Sequence, residues 1–437
     1  MYRYYEIADQ LKMAFLGDGY TQGDKLPSVR QICETYKCHQ NTACKAYEIL
    51  REQGLVYVIP QSGYYLSMDS SEERGDNQFV YDFAAASPDP NLFPYRDYQL
   101  CINQAIKQHR EALFRYGERG GHLPLKRAVS KLMTDDFIFT DPEQIVITSG
   151  TQQLLSILSK MNFTNQKEVI LVEQPSYHLY LEALRHMGSN VKWIERQAAG
   201  YDFEVIEKLF REGNIKFFYL LPRVHNPLGT ALSKRSKERL VELAYRYNVY
   251  LVEDDYMGDY ELNPANDPLI AYDVHKSHVL YLKSFSKIVF PGLRIGFAIL
   301  PKSMVTEVET ALFYHDMGAS LLSQASLDIF IRNGMYQRRI KKMKTLYHQR
   351  AVALQDSISV LSGEASPKVH ACIELKRAIS LKKAASFGIQ LTGIDRYYYE
   401  RAQVNHRLLP INVSNVKADR IQAGIEKLFK LIDERKI

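Results

Sequence analysis

The chain has 437 residues, 46% of them apolar and 24% charged, enough for two or three compact units with sizeable cores. No run approaches the ~20 consecutive apolar residues of a membrane span, and the opening MYRYYEIADQ lacks the apolar stretch of a secretory signal, so a cytoplasmic protein with no membrane partner is expected. The net charge of +6 is mild, and the first 66 residues hold seven Lys/Arg against seven Asp/Glu, so bulk charge gives no argument for nucleic acid.

In residues 4–16, Ile7, Leu11, Ala14 and Phe15 fall on one face at helical spacing. The turn-rich GDGYTQGDKL follows. Ser28 and Gln31 then make an S-x-x-Q capping box, with Pro27 before it, which predicts a second helix to about Tyr36. A third helix is expected from near Asn41, with Ala43, Ala46, Tyr47 and Leu50 as its apolar face and Gly54 as its stop. LVYVIP and GYYL around QSG read as a hairpin. Three helices and a hairpin suit a winged helix-turn-helix, whose third helix enters a major groove. They equally suit a small helical cap on a larger domain. Residues 68–79 are polar and charged with almost no large apolar side chain, a linker by composition.

From Val80 onward, helices alternate with short apolar runs. IVIT (145–148), EVILVE (168–173), IKFFYLL (215–221), VYLVED (249–254), HVLYL (278–282) and RIGFAIL (294–300) are candidate strands. Several are apolar throughout, as in a parallel sheet buried on both faces. An α/β domain is implied, with its ligand beyond the carboxyl ends of the strands. Four features stand at those ends in order. Ser149-Gly150-Thr151-Gln152 opens a helix and suits a phosphate. HNPLG (225–229) offers the Asn226 amide. VEDDY (252–256) offers carboxylates for a protonated ring nitrogen. SFSK (284–287) offers an amine for a Schiff base, with Arg294 nearby for a phosphate. Each alone has a bland reading as a turn or a solvated loop; their joint order does not.

The cysteines Cys33, Cys38, Cys44, Cys101 and Cys372 form no CxxC pair, so reduced thiols are expected rather than disulfides, and no metal site. The basic stretch YQRRIKKMK (336–344) reads as a helix with Ile340 and Met343 inward and its cations in water.

GDKLPSVRQICETY…NTACKAYEILREQGLV…SGYYL resembles the DNA-binding domain of the GntR family along its whole length. By that resemblance Arg30, Asn41, Thr42 and Lys45 are DNA-contacting positions and Gly63 is the wing tip. Gln40 and Cys44 stand where the family is often basic, which implies a weaker salt dependence. Residues 80–437 resemble a fold-type I aminotransferase with large and small subdomains. The resemblance implies pyridoxal 5'-phosphate (PLP) as cofactor, held as an internal aldimine by Lys287. It implies Asp254 on the pyridinium nitrogen, Asn226 and Tyr256 on the ring 3-hydroxyl, and Tyr177 on the ring face. Gly150, Thr151, Ser284 and Arg294 would surround the phosphate. Tyr116, in YGERGGHLPLKRAV, would reach the phosphate of the partner subunit in a homodimer.

The order of domains, 1–67 winged helix, 68–79 linker and 80–437 aminotransferase-like domain, resembles the MocR/GabR subfamily of regulators. That implies double-stranded operator DNA as one partner. It also implies an amine or amino acid effector, or PLP itself, sensed by aldimine exchange at Lys287. An active aminotransferase with a vestigial DNA-binding domain is the alternative. A DNA-binding dimer that has lost its cofactor is a third reading, which the intact Lys287, Asp254, Asn226 and Arg294 oppose. The departures are local. Leu228 replaces the usual threonine of NPTG, and Arg223 stands where the subfamily has a small residue. Pro410 occupies the place of the arginine that clamps a substrate α-carboxylate, which leaves Arg407 as the nearest candidate.

Overall fold

The structure is a computed structural model that describes residues 3–16, 20, 23–52, 54–59, 62–67, 81–86, 88–89, 92–261, 263, 265–362, 368–376 and 378–433. The chain divides into two compact units, 1–78 and 79–437. The linker expected at 68–79 lies outside the described residues.

The first unit holds α1 (Arg3–Leu16), α2 (Val29–Tyr36), α3 (Gln40–Glu52) and an antiparallel hairpin of β1 (Val56–Ile59) and β2 (Gly63–Leu66). Ser28 starts α2 as the sequence indicates. Its hydroxyl accepts from the Gln31 N–H at 3.3 Å, and Gln31 Oε1 accepts from the Ser28 N–H at 2.7 Å. Lys37 in the left-handed region ends α2, and Arg3 donates to the carbonyls of Tyr36 and Lys37 there. Ile7, Leu11, Phe15, Ile32, Tyr47, Leu50, Val56 and Leu66 form one buried core. Truncating a fully buried leucine such as Leu50 to Ala costs roughly 2–5 kcal/mol, enough to threaten so small a unit.

The second unit runs through β3 (Tyr81–Asp82), α4 (Tyr95–His109), α5 (Leu123–Met133), β4 (Ile145–Thr148), α6 (Thr151–Lys160), β5 (Val169–Gln174), α7 (His178–His186), β6 (Val191–Glu195), α8 (Phe203–Glu212), β7 (Ile215–Leu220), α9 (Lys234–Tyr247), β8 (Tyr250–Asp254), β9 (Val279–Ser284) and β10 (Gly296–Ile299). It continues with α10 (Lys302–Asp316), α11 (Leu321–Arg332), α12 (Met335–Ser362), β11 (His370–Glu374), α13 (Leu381–Ser386), β12 (Ile389–Gln390), β13 (Leu408–Asn412) and α14 (Ala418–Asp433).

Seven strands make the central sheet in the order β4-β10-β9-β8-β7-β5-β6. Its members are parallel except β10, which runs antiparallel to β4 and β9. The reason is the connection: β9 reaches β10 through residues 285–295, which hold a turn and the short 3-10 helix Pro291–Leu293, and a parallel neighbour needs a longer crossover, usually with an α-helix. The reversal brings the start of β10 to the edge where the other six strands end. Ile170, Phe217, Val252 and Leu280 pack towards α6, α7 and α10, while Leu171, Phe218 and Leu251 pack towards α8 and α9. β5, β7 and β8 are buried along their whole length, as their continuous apolar runs require. β6, a sheet-edge strand with Lys192 and Glu195 exposed, has no such run to betray it.

The small subdomain pairs β11 with β13 and β12 with β3, under the packed α12 and α14. In the basic stretch of α12, Met343 is buried and Ile340 half-buried, while Arg338, Lys341 and Lys342 face water. Arg339 is buried and donates to the Ile288 carbonyl at 3.0 Å. All five cysteines are free. Among the described residues no helix is long and apolar enough to cross a membrane.

Candidate cofactor site and DNA-facing helix

Strand ends set the site. The register pairs Gly296 with both Thr148 and Ser284, so the ends of β4 and β9 lie side by side across the start of β10. Gly150 then turns the chain into α6 with φ +106°, a conformation that favours glycine. A Cβ there would stand 3.0 Å from Arg294 Nη2, which also donates to the Ser149 carbonyl at 2.8 Å. Ser284 donates to the Ser286 hydroxyl at 3.0 Å. Gly150, Thr151, Ser284 and Arg294 therefore meet at one helix N-terminus with an exposed guanidinium, the makings of a phosphate cup.

The three carboxylates that end β8 are not a solvated loop, for all three are buried. Glu253 accepts from the N–H groups of Leu269 and Ile270. Asp255 accepts from Arg223 at 2.9 Å and from Tyr281 at 2.5 Å. Arg223 also reaches Asp136, and Lys283 pairs with Asp259 at 3.1 Å beside them. This cluster explains the unusual Arg223: against the upward push of burial, it and Lys283 hold Asp255 below the usual carboxylate value.

Asp254 differs. Oδ2 accepts from Tyr219 at 2.9 Å, but Oδ1 is buried with no partner among the described residues. Burial pushes its carboxyl up to about 7, the Tyr219 hydrogen bond opposing and Asp255 reinforcing. A buried acceptor left open is costly, and a protonated ring nitrogen is the partner that would satisfy it.

Lys287 follows β9 and donates to the Ala86 carbonyl. Burial lowers its amine to about 8, so roughly a tenth of it is neutral at pH 7, against a few parts in ten thousand for an ordinary lysine. Tyr177, at the start of α7, is raised first by burial and then by Asp254, with Gln152 and Arg294 acting the other way. Asn226 is half-buried in a turn closed by Gly229 N–H to the His225 carbonyl at 2.8 Å. Gly229 is needed there, since a Cβ would fall 2.3 Å from the His370 carbonyl. Beneath the turn, Glu173 is buried among Arg196, His225 and Tyr201.

Sequence reasoning missed three polar partners. Tyr219 reads as one more apolar residue in IKFFYLL. His370 and Asn412 sit on small-subdomain strands, 42 residues apart in sequence, yet their side chains meet at 2.5 Å. His370 also meets the half-buried Tyr256 hydroxyl at 2.5 Å. Only a polar residue inside an apolar strand could have flagged them.

Arg407 has its ion pair with a different residue, Glu374, at 2.6 Å. It precedes β13 and leaves 57% of its side chain exposed. Tyr116 is 80% exposed.

In the first unit, Arg30, Asn41 and Lys45 face water and Thr42 is half-buried on α3. Arg30 pairs with Glu34 at 3.2 Å, a surface contact worth about 0–1 kcal/mol and easily exchanged. The Lys45 amine lies 5.5 Å from the Tyr4 ring centroid. Gly63, φ +128°, opens β2 opposite Ile59.

Comparison with known proteins matches residues 91–373 to the aminotransferase class I and II family and residues 3–66 to the gntR family of bacterial regulatory proteins. A Bacillus subtilis (strain 168) protein described as the uncharacterized HTH-type transcriptional regulator YcxD is 40% identical over 98% of this chain and 99% of its own. Aromatic-amino-acid aminotransferase 1 of Thermococcus litoralis is 26% identical over 84% of this chain and 93% of its own. Among solved structures, Pyrococcus horikoshii kynurenine aminotransferase, in complex with PMP and kynurenine, superposes with a TM-score of 0.73. It is 25% identical, covering 82% of this chain and 92% of that one.

Proposed function

Since the chain belongs to the gntR-family regulators fused to a class I and II aminotransferase domain, the MocR-type architecture, we propose that it is a transcription regulator whose large domain reads an amino compound at a PLP site. The domain is of the kind that takes pyridoxal phosphate. The observation that carries the reading is the buried Asp254 Oδ1, without a partner among the described residues, at the end of β8, while the desolvated Lys287 amine follows the end of the neighbouring β9.

Each residue then has a role. Arg294 and the N–H groups at Gly150 and Thr151, with Ser284, hold the phosphate. Asp254 receives the ring nitrogen, with Tyr219 fixing its other oxygen. Tyr177 covers the ring face, and Asn226 and Tyr256 hold the ring oxygen. When bound, the cofactor supplies an aldehyde for which the Lys287 amine and an incoming amine compete. Burial keeps Lys287 ready to give up its proton near neutral pH. An α-carboxylate anchor at Arg407 requires its release from Glu374. In a homodimer the exposed Tyr116 completes the site of the second copy, a role that its 80% exposure leaves open to it. Arg30, Asn41, Thr42 and Lys45 face operator DNA with Gly63 at the wing tip, and the cytoplasm is where such a regulator works. The domains are 1–67 and 80–437, joined through 68–79.

A spectral titration tests this. The purified chain with PLP should show a visible band, and a panel of amines and amino acids should shift it for one class of compound. A colourless protein that takes up no PLP would contradict the reading. Full turnover with an amino acid and a keto acid would point to a working enzyme instead.

A further inference from the structure

We propose that His370 and Asn412 form a fixed hydrogen-bond relay that presets Tyr256 as a donor to the ring oxygen of the cofactor, an inference that rests on the PLP reading above.

The direction of the relay follows from one fixed donor. The Ser414 backbone N–H donates to Asn412 Oδ1 at 2.8 Å. That contact settles the orientation of the amide, because a turned side chain would set its NH2 against the N–H. Asn412 Nδ2, 2.5 Å from His370 Nδ1, is therefore the donor, and Nδ1 must offer a lone pair. His370 is buried and faces Lys287, His225 and Lys368. Burial first, then Lys287, His225 and Lys368, hold its ring down to about 3, so it is neutral at physiological pH. A neutral ring with a bare Nδ1 carries its proton on Nε2. Nε2, 2.5 Å from Tyr256 Oη, thus donates to the phenol oxygen. The phenol hydrogen is left over, and among the described residues no acceptor takes it.

The surroundings favour this arrangement. His370 and Asn412 are direct partners in the β11–β13 register, and the Asn412 N–H donates to the Phe83 carbonyl at 3.0 Å. The His370 and Tyr256 rings stack at 8° with centroids 5.9 Å apart. Burial, with Asp254, Tyr397, Tyr177 and Asp255 around it, keeps the Tyr256 phenol protonated. A hydroxyl that accepts one hydrogen bond gives a stronger one of its own. The relay therefore strengthens the grip of Tyr256 on an anionic oxygen, and it favours the deprotonated form of the bound cofactor. His370 and Asn412 are positioning residues, acting through Tyr256.

Two readouts on the full-length chain test the relay. The first is the pH midpoint of the visible band after loading with PLP. His370→Leu should raise it by roughly 0.4–1 pH unit, the worth of one hydrogen bond. His370→Gln, which keeps a donor, should stay closer to wild type. Tyr256→Phe should raise it at least as far as His370→Leu, and the double variant no further than Tyr256→Phe alone. The second is ring 15N NMR of histidine-labelled, cofactor-free protein, with the His370 signals identified by their loss in His370→Gln. Nε2 should be protonated and Nδ1 bare, a result independent of whether PLP binds, and the assignment holds when the other histidine signals keep their places in His370→Gln. A protonated Nδ1, or a full additional shift from His370→Leu on top of Tyr256→Phe, would overturn the relay. A wild-type chain that shows no band with PLP would overturn the cofactor reading instead, and the ring nitrogens would still decide the relay.

Discussion

In the N-terminal unit, Arg30 leaves 89% of its side chain in water, and Lys45 and Asn41 are exposed too. In the large unit, Asp254 is buried, and burial has moved the Asp254 carboxyl to about 7 and the Lys287 amine to about 8. The contrast follows from the partners. A polyanion is attracted by solvated cations that release its counterions, and such cations work best with their ordinary charge. Carbonyl chemistry needs an amine that is neutral near pH 7, and only removal from water supplies one.

The largest effect is expected where the buried group is the reactive one. Lys287→Ala should abolish the visible band of the PLP-loaded protein while DNA binding persists, read by absorbance and by gel shift. Equal loss of DNA binding would break the separation of roles between the two regions.

Asp254→Ala should weaken PLP binding by roughly 10- to 100-fold, the ~1.5–3 kcal/mol of a charged hydrogen bond, as followed by fluorescence titration. An unchanged affinity would mean that another group satisfies the ring nitrogen. At the exposed end, Arg30→Ala or Lys45→Ala should cost roughly 1–3 kcal/mol in operator affinity if a base contact is lost, with the visible band intact. Unchanged affinity in both at moderate salt would contradict the assigned DNA face.

A smaller effect sharpens the electrostatic side. The lowered Lys287 pKa means that its amine is protonated below pH 8 and neutral above it. The rate of PLP loading should therefore climb with pH and level off above about 8, in stopped-flow absorbance. A climb continuing towards pH 10 would show an amine in ordinary water. Arg407→Ala should have the least effect. Its pairing with Glu374 at the surface makes it dispensable for fold, and if it anchors a carboxylate, amino acids should lose more affinity than simple amines.

The two regions were also unequally legible. In the first, Ser28, Gln31 and the apolar face of α3 act through neighbours three or four residues away, so spacing alone located them. In the second, the buried runs of β4, β5, β7 and β8 were readable because both faces are covered, whereas the amphipathic edge of β6 was not. Asp254 could be singled out of Glu253-Asp254-Asp255 only through the family resemblance. The physical reason, that its neighbours are taken up by backbone N–H groups and by Arg223, needs the structure. Arg223 looked like a mismatch because its partners Asp136 and Asp255 lie 87 and 32 residues away. The His370–Asn412 pair is brought together by strand register, which no local pattern encodes.

The central claim is that an amine acting at Lys287 changes how the protein binds DNA. The direct measurement is the affinity of the PLP-loaded chain for a DNA fragment selected by the wild type from a random pool. It is made with and without the amine that shifts the visible band, in wild type and Lys287→Ala. The account predicts that the amine changes the affinity of wild type and leaves that of Lys287→Ala unchanged. The same response in both proteins would contradict it, and would place the sensing step away from Lys287.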